Sequence, residues 1–504
     1  MLIRILSASL QGIEAYQVEV EVDISPGLPA FIIVGLPDAA VRESKERVRT
    51  ALRNCGFDFP AKKIIINLAP ASRKKEGSSF DLPIALGLLA FLGIVPAERL
   101  SQFLFVGELT LEGSLKSVRG ALPFSLLAQR KKMSGLVLPK KNEKEACLVQ
   151  NFPIYGLAHL LEVIKLLCGS EEIKPAHHSL HDLIGEIASD YDFSEVRGQQ
   201  QAKRALEVAA AGAHNILMVG PPGSGKTMLA RRLPTILPEM AFEEIIEVTQ
   251  IYSAAGFLGE KAAISQRPFR SPHHTITDTG LVGGGNFPRP GEVSLAHHGV
   301  LFLDEFPEFS RQALESLRQP LEDGQVTISR VSTSITYPCS FMLVAAMNPC
   351  ADAFLSSGFE YNCSEIERRK YYSRLSRPLL DRIDIQIEVP PVKYQDITIK
   401  QGGEPSAEIR KRVTTARKIQ WARFKEKRIM ANAQMGSKDI RNFCVLDGSG
   451  HQLLETAMKK FGFSARAYDR ILKVARTIAD LSGEEKISAA AVAEAIQYRI
   501  LDRF

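Results

Sequence analysis

The chain has 504 residues, which is enough for about three domains that each bury a core. Its 63 basic residues against 57 acidic ones make it only mildly basic, so overall charge identifies no partner. The seven cysteines include no CxxC pair, which excludes a disulfide framework and predicts reduced thiols in a cytoplasmic protein. The longest apolar stretch, 82–95, is too short to span a membrane and predicts a core helix.

Residues 1–168 alternate strand and helix patterns, which predicts an α/β domain. The strand patterns, which are alternating or β-branched and bounded by turn signals, cover 16–24, 31–35 and 63–68. Helical periodicity covers 38–52. The polar stretch that follows, 169–192, predicts a linker.

The next region, 193–400, contains a glycine-rich loop between the apolar strand pattern 216–219 and a helix start. The loop consists of Gly220, Pro221, Pro222, Gly223, Ser224, Gly225, Lys226 and Thr227. This order is typical of a phosphate-binding loop, whose backbone N–H groups and helix N-terminus surround the phosphates. Lys226 is expected to contact the terminal phosphates and the Thr227 hydroxyl to bind Mg²⁺. The motif predicts binding of a nucleoside triphosphate.

Two further strand patterns end in polar side chains that suit hydrolysis. The apolar run 299–303 is followed by Asp304 and Glu305. At the end of a parallel strand, Asp304 can hold the metal and Glu305 can polarise the attacking water. The run 341–347 ends at Asn348, whose amide either orients that water or only begins an Asn-Pro turn.

The C-terminal region, 401–504, is helical and basic. Helical patterns cover 409–428, 450–460, 464–481 and 488–501. The region carries 20 Lys and Arg against 12 Asp and Glu, a net charge of +8. This excess fits either a polyanionic partner or a solvated helical surface, and the composition leaves both open.

Several longer motifs carry a family resemblance. They are 346–350 (AMNPC), 378–384 (PLLDRID), 463–470 (FSARAYDR) and 34–44 (VGLPDAAVRES). With the nucleotide motifs, they resemble the ComM (YifB) family of magnesium-chelatase-like AAA+ ATPases over nearly the whole chain. The resemblance implies an α/β fold in three parts, with a linker at 169–192. These parts are a Lon-protease-like (ribosomal S5 domain 2-like) α/β domain at 1–168, an AAA+ P-loop core at 193–400 and a helical lid at 401–504.

The same resemblance implies how such a chain works. Family members are expected to form a ring, a homo-hexamer, with ATP and Mg²⁺ bound between neighbouring subunits. They act as DNA helicases on single-stranded and branched DNA and drive branch migration during natural transformation. Arg382 matches the arginine that completes a neighbour's site, with Arg374 and Arg377 as alternatives. Arg466 matches the lid arginine that reaches its own nucleotide.

Two inserts are the predicted DNA contacts. One lies between 249 and 295 in the place where related proteins carry an insert in a helix, and the other is a predicted hairpin at 325–337. In related ring helicases such inserts project into the pore and follow the phosphates of a strand. We select Arg267, Arg270 and Arg330 as candidates, with ordinary surface charge as the alternative.

No zinc is expected. Many relatives carry four cysteines after the Asn-Pro pair, whereas this chain has only Cys350 and Cys363 there. A structural zinc needs four ligands. The pairs 273–274 and 297–298 are adjacent histidines, whose side chains face opposite ways on an extended chain. They therefore predict no metal site either.

The Lon-like domain suggests other functions for the chain, of which the first is proteolysis. Ser79 falls near the position of the Lon nucleophile, but Leu122 stands where the base belongs and Lys116 is out of register. We expect this domain to be proteolytically inactive. A chelatase-type motor and a protein-unfolding chaperone remain alternatives. The chain has no DxSxS metal-ion adhesion motif that would support the chelatase-type motor. No sequence segment stands out as the aromatic pore loop of a chaperone.

Overall fold

Two units make up the fold. One comprises Met1–Glu186 with Phe242–Ser265, and the other comprises Ile187–Ala241 with Gln266–Phe504. This computed structural model describes residues 2–185, 190–285, 288–330, 333–349, 371, 374–392, 402–425, 427 and 429–499, without the side chains of Arg330 and Thr333. Cys350 and Cys363, on which the zinc expectation rests, lie outside the described residues.

The strands are mostly short and apolar. In chain order they are β1 (Leu2–Gln11), β2 (Glu14–Ser25), β3 (Ala30–Val34), β4 (Lys63–Ala69), β5 (Phe103–Phe105), β6 (Glu108–Leu109), β7 (Leu115–Lys116), β8 (Gly135–Pro139), β9 (Ile154–Leu157), β10 (Ile216–Val219), β11 (Phe269–Arg270), β12 (Gly283–Gly284), β13 (Arg289–Pro290), β14 (Val300–Leu303), β15 (Gln325–Arg330), β16 (Thr333–Pro338), β17 (Met342–Met347) and β18 (Ile385–Glu388). The strands predicted from the sequence are confirmed as β2, β3, β4, β10, β14 and β17.

The α-helices range from a single turn to eighteen residues. They are α1 (Ala39–Asn54), α2 (Asp81–Phe91), α3 (Ala97–Leu100), α4 (Ala121–Arg130), α5 (Glu143–Ala146), α6 (Leu160–Cys168), α7 (Leu180–Ile184), α8 (Gln200–Gly212), α9 (Lys226–Ile236), α10 (Phe242–Ala255), α11 (Asp278–Val282), α12 (Glu292–Leu295), α13 (Arg311–Ser316), α14 (Arg318–Asp323), α15 (Arg377–Leu380), α16 (Ser406–Arg423), α17 (Ser437–Phe443), α18 (Gly448–Phe461), α19 (Ala465–Ser482) and α20 (Ala489–Gln497). One of them, α7, lies inside the predicted linker.

The first unit is built on a mixed sheet with the strand order β3-β4-β2-β1-β5-β8-β9. β2 pairs antiparallel with both β1 and β4, and the other neighbours pair in parallel. The predicted core helix is α2, which is buried from Asp81 to Ala90. It lies so close to the sheet that a Cβ atom on Gly87 would be 2.5 Å from Cγ2 of Val22. No described helix is long and apolar enough to cross a membrane.

A segment from the middle of the chain completes the first unit. This segment, Phe242–Ser265, contains α10, which packs on α4. Gln250 donates a hydrogen bond from Nε2 to the carbonyl oxygen of Ile13 at 2.9 Å, and the Ser253 hydroxyl donates to the buried Glu145 carboxylate. The predicted insert 249–295 is therefore divided, and only its part from Gln266 onward belongs to the second unit.

The second unit contains a parallel sheet with the order β11-β14-β17-β10-β18. Every residue of β10, β14 and β17 is buried, as expected for strands covered on both faces. Because the strands run the same way, their carboxyl ends meet at one edge of the sheet. Ligands of open α/β sheets bind at this edge.

Helices of the C-terminal region pack on this sheet's helices within the second unit. The helix α16 contacts α8, α9 and α19, and Gln420 donates from Nε2 to the carbonyl oxygen of Ala211 at 3.0 Å. It begins at Ser406, three residues before the predicted start, and ends at Arg423. The helices predicted at 450–460 and 464–481 are confirmed as α18 and α19.

Candidate nucleotide-hydrolysis site

The phosphate-binding loop joins β10 to α9 at the carboxyl edge of the second sheet. Gly223 and Gly225 have φ angles of +76° and +90°, a region that glycine enters at little cost. A Cβ atom on Gly220 would lie 2.2 Å from the carbonyl oxygen of Val389, so no side chain fits there. The helix starts at Lys226 and points its free N–H groups into the loop. The loop therefore has the backbone that phosphate binding requires.

Lys226 is buried and its amine lies among oxygen atoms. Nζ donates to the carbonyl oxygens of Gly220 (2.7 Å) and Pro221 (2.9 Å) and to Oδ1 of Asn348 (3.2 Å). Burial lowers the pKa of Lys226, and the Asp304 carboxylate opposes that shift. The structure thus brings Lys226 and Asn348 together at the ends of two neighbouring strands. Their roles at the phosphates remain predictions.

Thr227 and Asp304 form an oxygen pair beside this amine. Thr227 Oγ1 donates to Asp304 Oδ2 at 2.7 Å, although the two residues follow different strands. Magnesium prefers oxygen ligands and takes few of them from the protein. A hydroxyl and a carboxylate at hydrogen-bond distance therefore fit Mg²⁺, and Thr227 and Asp304 would hold it.

Glu305 has an unusual backbone and an exposed side chain. Its φ angle is +52°, which is uncommon for a residue other than glycine and clusters at functional sites. Its backbone N–H donates to Asp304 Oδ1 at 3.0 Å, and its side chain is 56% exposed. Oε2 lies 3.0 Å from Nδ1 of His274, a contact that no sequence motif indicated.

The adjacent histidines do not face opposite ways, so that expectation was wrong. The ring centroids lie 4.1 Å apart in the pair 273–274 and 3.9 Å apart in the pair 297–298. The reason is that both pairs include turn residues, where the alternation of an extended strand is lost. His297 accepts a hydrogen bond at Nδ1 from the backbone N–H of Ser340 at 3.0 Å.

Arg382 and Arg466 lie near the start of β18, and each has a partner in its own chain. The Arg382 guanidinium pairs with Glu322 and donates to the carbonyl oxygen of Pro378, and its side chain is 12% exposed. Arg466 contacts Asp381 at 3.2 Å and is 71% exposed. A role in a neighbouring subunit's site requires Arg382 to exchange Glu322 for a phosphate.

A buried polar network fixes the turn that carries Arg382. His214 contacts Asp384 Oδ2 through Nδ1 at 3.0 Å and Thr477 Oγ1 through Nε2 at 2.8 Å. Burial raises the pKa of Asp384, but the charge of Arg470 and the His214 contact outweigh it and hold that pKa well below its usual range. The helix α19 is thus tied to this turn by Arg470 as well as by Arg466. No sequence pattern indicated this network.

The candidate DNA-binding arginines are engaged within the second unit. Arg267 donates to the carbonyl oxygens of Pro238 (2.6 Å) and His298 (2.7 Å). Arg270 forms a bidentate pair with Glu292 at 2.6 and 2.7 Å. Arg330 lies at the end of β15 in the predicted hairpin, and its side chain is outside the described residues. Their contacts with DNA stay predictions.

In the first unit, Leu122 stands at the position where a Lon-like site needs a base. Ser79 is buried. Leu122 is fully buried, and Lys116 is exposed with its amine 3.9 Å from Glu108. That this domain is proteolytically inactive remains a prediction.

Comparisons with known proteins cover nearly the whole chain. The family described as magnesium chelatase, subunit ChlI, matches residues 192–397, and its C-terminal family matches 403–499. The family described as subunit ChlI of Mg-chelatase matches 20–142. Lon protease 2 of Bacillus subtilis is 30% identical over 29% of this chain and 28% of its own length.

Relatives match over nearly the full length of this chain. The competence protein ComM of Haemophilus influenzae is 45% identical over 99% of this chain and 97% of that protein. The uncharacterized protein YifB of Escherichia coli is 43% identical over 98% of this chain and 96% of that protein. The chain therefore belongs to the ComM/YifB family of magnesium-chelatase-like AAA+ ATPases.

Proposed function

We propose that this protein is an ATP-dependent DNA helicase that promotes branch migration of recombination intermediates during natural transformation. It acts as a homo-hexameric ring on single-stranded and branched DNA, with ATP bound between subunits. The observation that carries the ATPase part is the meeting of Lys226, Thr227, Asp304 and Asn348 at one sheet edge. The DNA part is supported by the competence protein that is 45% identical to this chain.

The site residues divide the chemistry of hydrolysis among them. The loop backbone and Lys226 bind the phosphates. Thr227 and Asp304 would hold Mg²⁺, which would neutralise charge on the phosphate oxygens. Glu305 accepts a hydrogen bond from the attacking water and draws its proton away, while Asn348 orients that water. Arg382 stabilises the charge that develops on the γ-phosphate of a neighbouring subunit, and Arg466 couples hydrolysis to movement of α19.

A basic surface along α16 and just beyond its C-terminal end supports a polyanionic partner. Lys411, Lys418 and Lys425 are exposed, and among the described residues none of them forms an ion pair. Two acidic residues nearby, Glu207 and Glu404, are paired with Arg412. Trp421, the only tryptophan of the chain, is 38% exposed next to these lysines. Lysines beside an exposed aromatic ring suit the phosphates and bases of a single strand.

The test is whether DNA or an unfolded protein raises the rate of ATP hydrolysis. Single-stranded or branched DNA is expected to raise the hydrolysis rate several-fold, because movement along the strand is coupled to turnover. Since the chain has one tryptophan, quenching of its fluorescence by the same DNA reports binding to the basic surface along α16. Quenching should weaken as salt increases, as for any phosphate contact.

The alternative is a protein-remodelling motor, which the magnesium chelatase match also suits. Stimulation by an unfolded protein but not by DNA would favour that alternative. Lys418→Glu should weaken quenching by DNA, whereas Lys459→Glu on α18 should not. Lys459 is also exposed but already lies 2.6 Å from Glu455, which makes it a suitable control.

A further inference from the structure

We propose that the edge strand β3 of the first unit is a docking site for another protein, which adds an extended, acidic segment to the sheet as a further strand. The docking site runs from Leu28 to Leu36 and includes the start of the motif 34–44. These residues are distinct from those assigned above to ATP hydrolysis and to contacts with DNA.

The strand β3 has an open edge. It is the first strand in the order β3-β4-β2-β1-β5-β8-β9, so within the described residues only β4 pairs with it. Edge strands of soluble proteins usually carry a charged residue or a proline that prevents pairing with another chain. The five residues of β3, Ala30–Val34, include neither. A further strand can therefore be added at this edge.

Alternate side chains of β3 face away from the core of the first unit. Phe31 and Ile33 pack against that core, whereas Ile32 and Val34 are exposed. The same edge also exposes two leucines that flank the strand, so that its exposed apolar side chains are Leu28 (89%), Ile32 (42%), Val34 (41%) and Leu36 (55%). A cluster of exposed apolar side chains on a soluble protein marks a site of interaction.

Leu36 is held in an unfavourable conformation with its side chain in solvent. Its φ angle is +57°, in the left-handed region that bulky residues seldom adopt. Its carbonyl oxygen accepts a hydrogen bond from the backbone N–H of Lys75 at 3.1 Å, and the backbone N–H of Asp38 donates to the carbonyl oxygen of Lys75 at 3.0 Å. Because glycine would suit this backbone better, the exposed leucine side chain points to a contact with a partner.

Basic side chains beside β3 define the charge of that partner. Lys63 is exposed and lies opposite Ala30 at the start of the strand. The Arg49 guanidinium lies 5.5 Å from the ring centroid of Phe59, which stacks on Phe31 at 6.0 Å. Among the described residues neither Lys63 nor Arg49 forms an ion pair, and Nε of Arg49 is buried without a hydrogen-bond partner. A carboxylate on the added strand would complement both cations.

These features together favour an acidic polypeptide over other partners. The backbone of a strand edge offers N–H and C=O groups that another extended polypeptide matches, while alternate apolar side chains provide specificity. The edge strand of a second copy would supply the apolar side chains but no carboxylate, because 26–37 contains no acidic residue. The partner segment is therefore expected to be apolar at alternate positions and to carry Asp or Glu near the end that meets Ala30.

The test uses random peptides of about ten residues, the length of a long strand, displayed on phage and selected on the full chain. Selection should enrich peptides with Val, Ile or Leu at alternate positions and an acidic residue near one end. A selected peptide, labelled with fluorescein, is then measured by fluorescence anisotropy. Val34→Lys and Lys63→Glu should each weaken its binding by at least about tenfold. Leu161→Lys is the matched control, because Leu161 lies on α6 and is as exposed as Val34, at 41%.

Methylation of the peptide's backbone nitrogens tests whether it adds as a strand. Since every second amide of an added strand donates to its neighbour, methylating one alternate set should abolish binding and methylating the other should not. Binding that survives Val34→Lys, or that shows no such alternation, would refute strand addition. If no peptide is enriched and the wild type self-associates where Val34→Lys does not, the edge pairs with a second copy and the proposed partner is wrong. If no peptide is enriched and neither chain self-associates through this edge, β3 is not a docking site.

Discussion

Replacing Glu305 by Gln is expected to lower ATP hydrolysis by about 10²–10⁴-fold, the range for loss of a general base. The amide has the shape of the carboxylate but cannot take up a proton from the attacking water. Binding of ATP should persist, because the loop backbone, Lys226 and Thr227 are unchanged. Hydrolysis is measured by phosphate release, and binding is measured with a fluorescent ATP analogue.

Glu455→Gln is the matched control for this substitution. Glu455 is as exposed as Glu305, at 56%, and also contacts one basic side chain, but it lies on α18. Its replacement should leave hydrolysis within a factor of two or so of the wild type, as surface substitutions usually do. Near-normal hydrolysis by Glu305→Gln would show that another group activates the water.

Arg382→Ala is expected to abolish hydrolysis by the assembled ring, with a loss of about 10³–10⁵-fold if Arg382 acts as an arginine finger. ATP binding should stay near normal, because the finger acts on the charge of the transition state. Loss of the Glu322 partner should cost little stability, since that carboxylate is 58% exposed. Phosphate release measures hydrolysis, and the fluorescent ATP analogue measures binding.

Mixing two inactive variants tests whether the finger acts between subunits. If Arg382→Ala and Glu305→Gln subunits assemble at random, about a quarter of the interfaces combine an intact Glu305 from one subunit with an intact Arg382 from its neighbour. Equal mixtures should therefore recover hydrolysis that neither variant has alone. If the mixtures form rings but stay inactive, Arg382 acts in its own subunit's site or has only a structural role. Loss of activity in Arg374→Ala or Arg377→Ala instead would move the finger to those positions.

The sequence predicted the nucleotide site well because each part of it is local. A short apolar run followed by polar residues identifies the end of a buried strand, and parallel strands bring such ends together without further information. Lys226, Thr227, Asp304 and Asn348 accordingly meet in the structure. The roles of these residues in hydrolysis remain predictions.

Features that depend on distant packing were not predicted. The apolar stretch 82–95 ends as a helix at Phe91, because Gly93 adopts a φ angle of +74° that the composition of the stretch does not reveal. The helix α10 follows the phosphate-binding loop in sequence but packs with the first unit. Such associations depend on which surfaces complement one another, and a periodic pattern does not encode that.

The contact between His274 and Glu305 escaped detection for a similar reason. It depends on β11, a strand of only two residues that leaves no pattern in the sequence. Arg267 and Arg270 stood out as positive charges, yet the structure shows that they anchor this segment through carbonyl oxygens and Glu292. Positive charge alone therefore does not distinguish residues that stabilise the fold from residues that bind a partner.

The most direct measurement is strand displacement on a branched, fluorescently labelled DNA, with wild type and Glu305→Gln compared side by side. We expect the wild type to displace a strand only when ATP and Mg²⁺ are present, and the Glu305→Gln ring to bind the DNA without displacing it. A wild-type ring that hydrolyses ATP but never displaces a strand, with or without DNA stimulation, would contradict the assignment as a DNA motor.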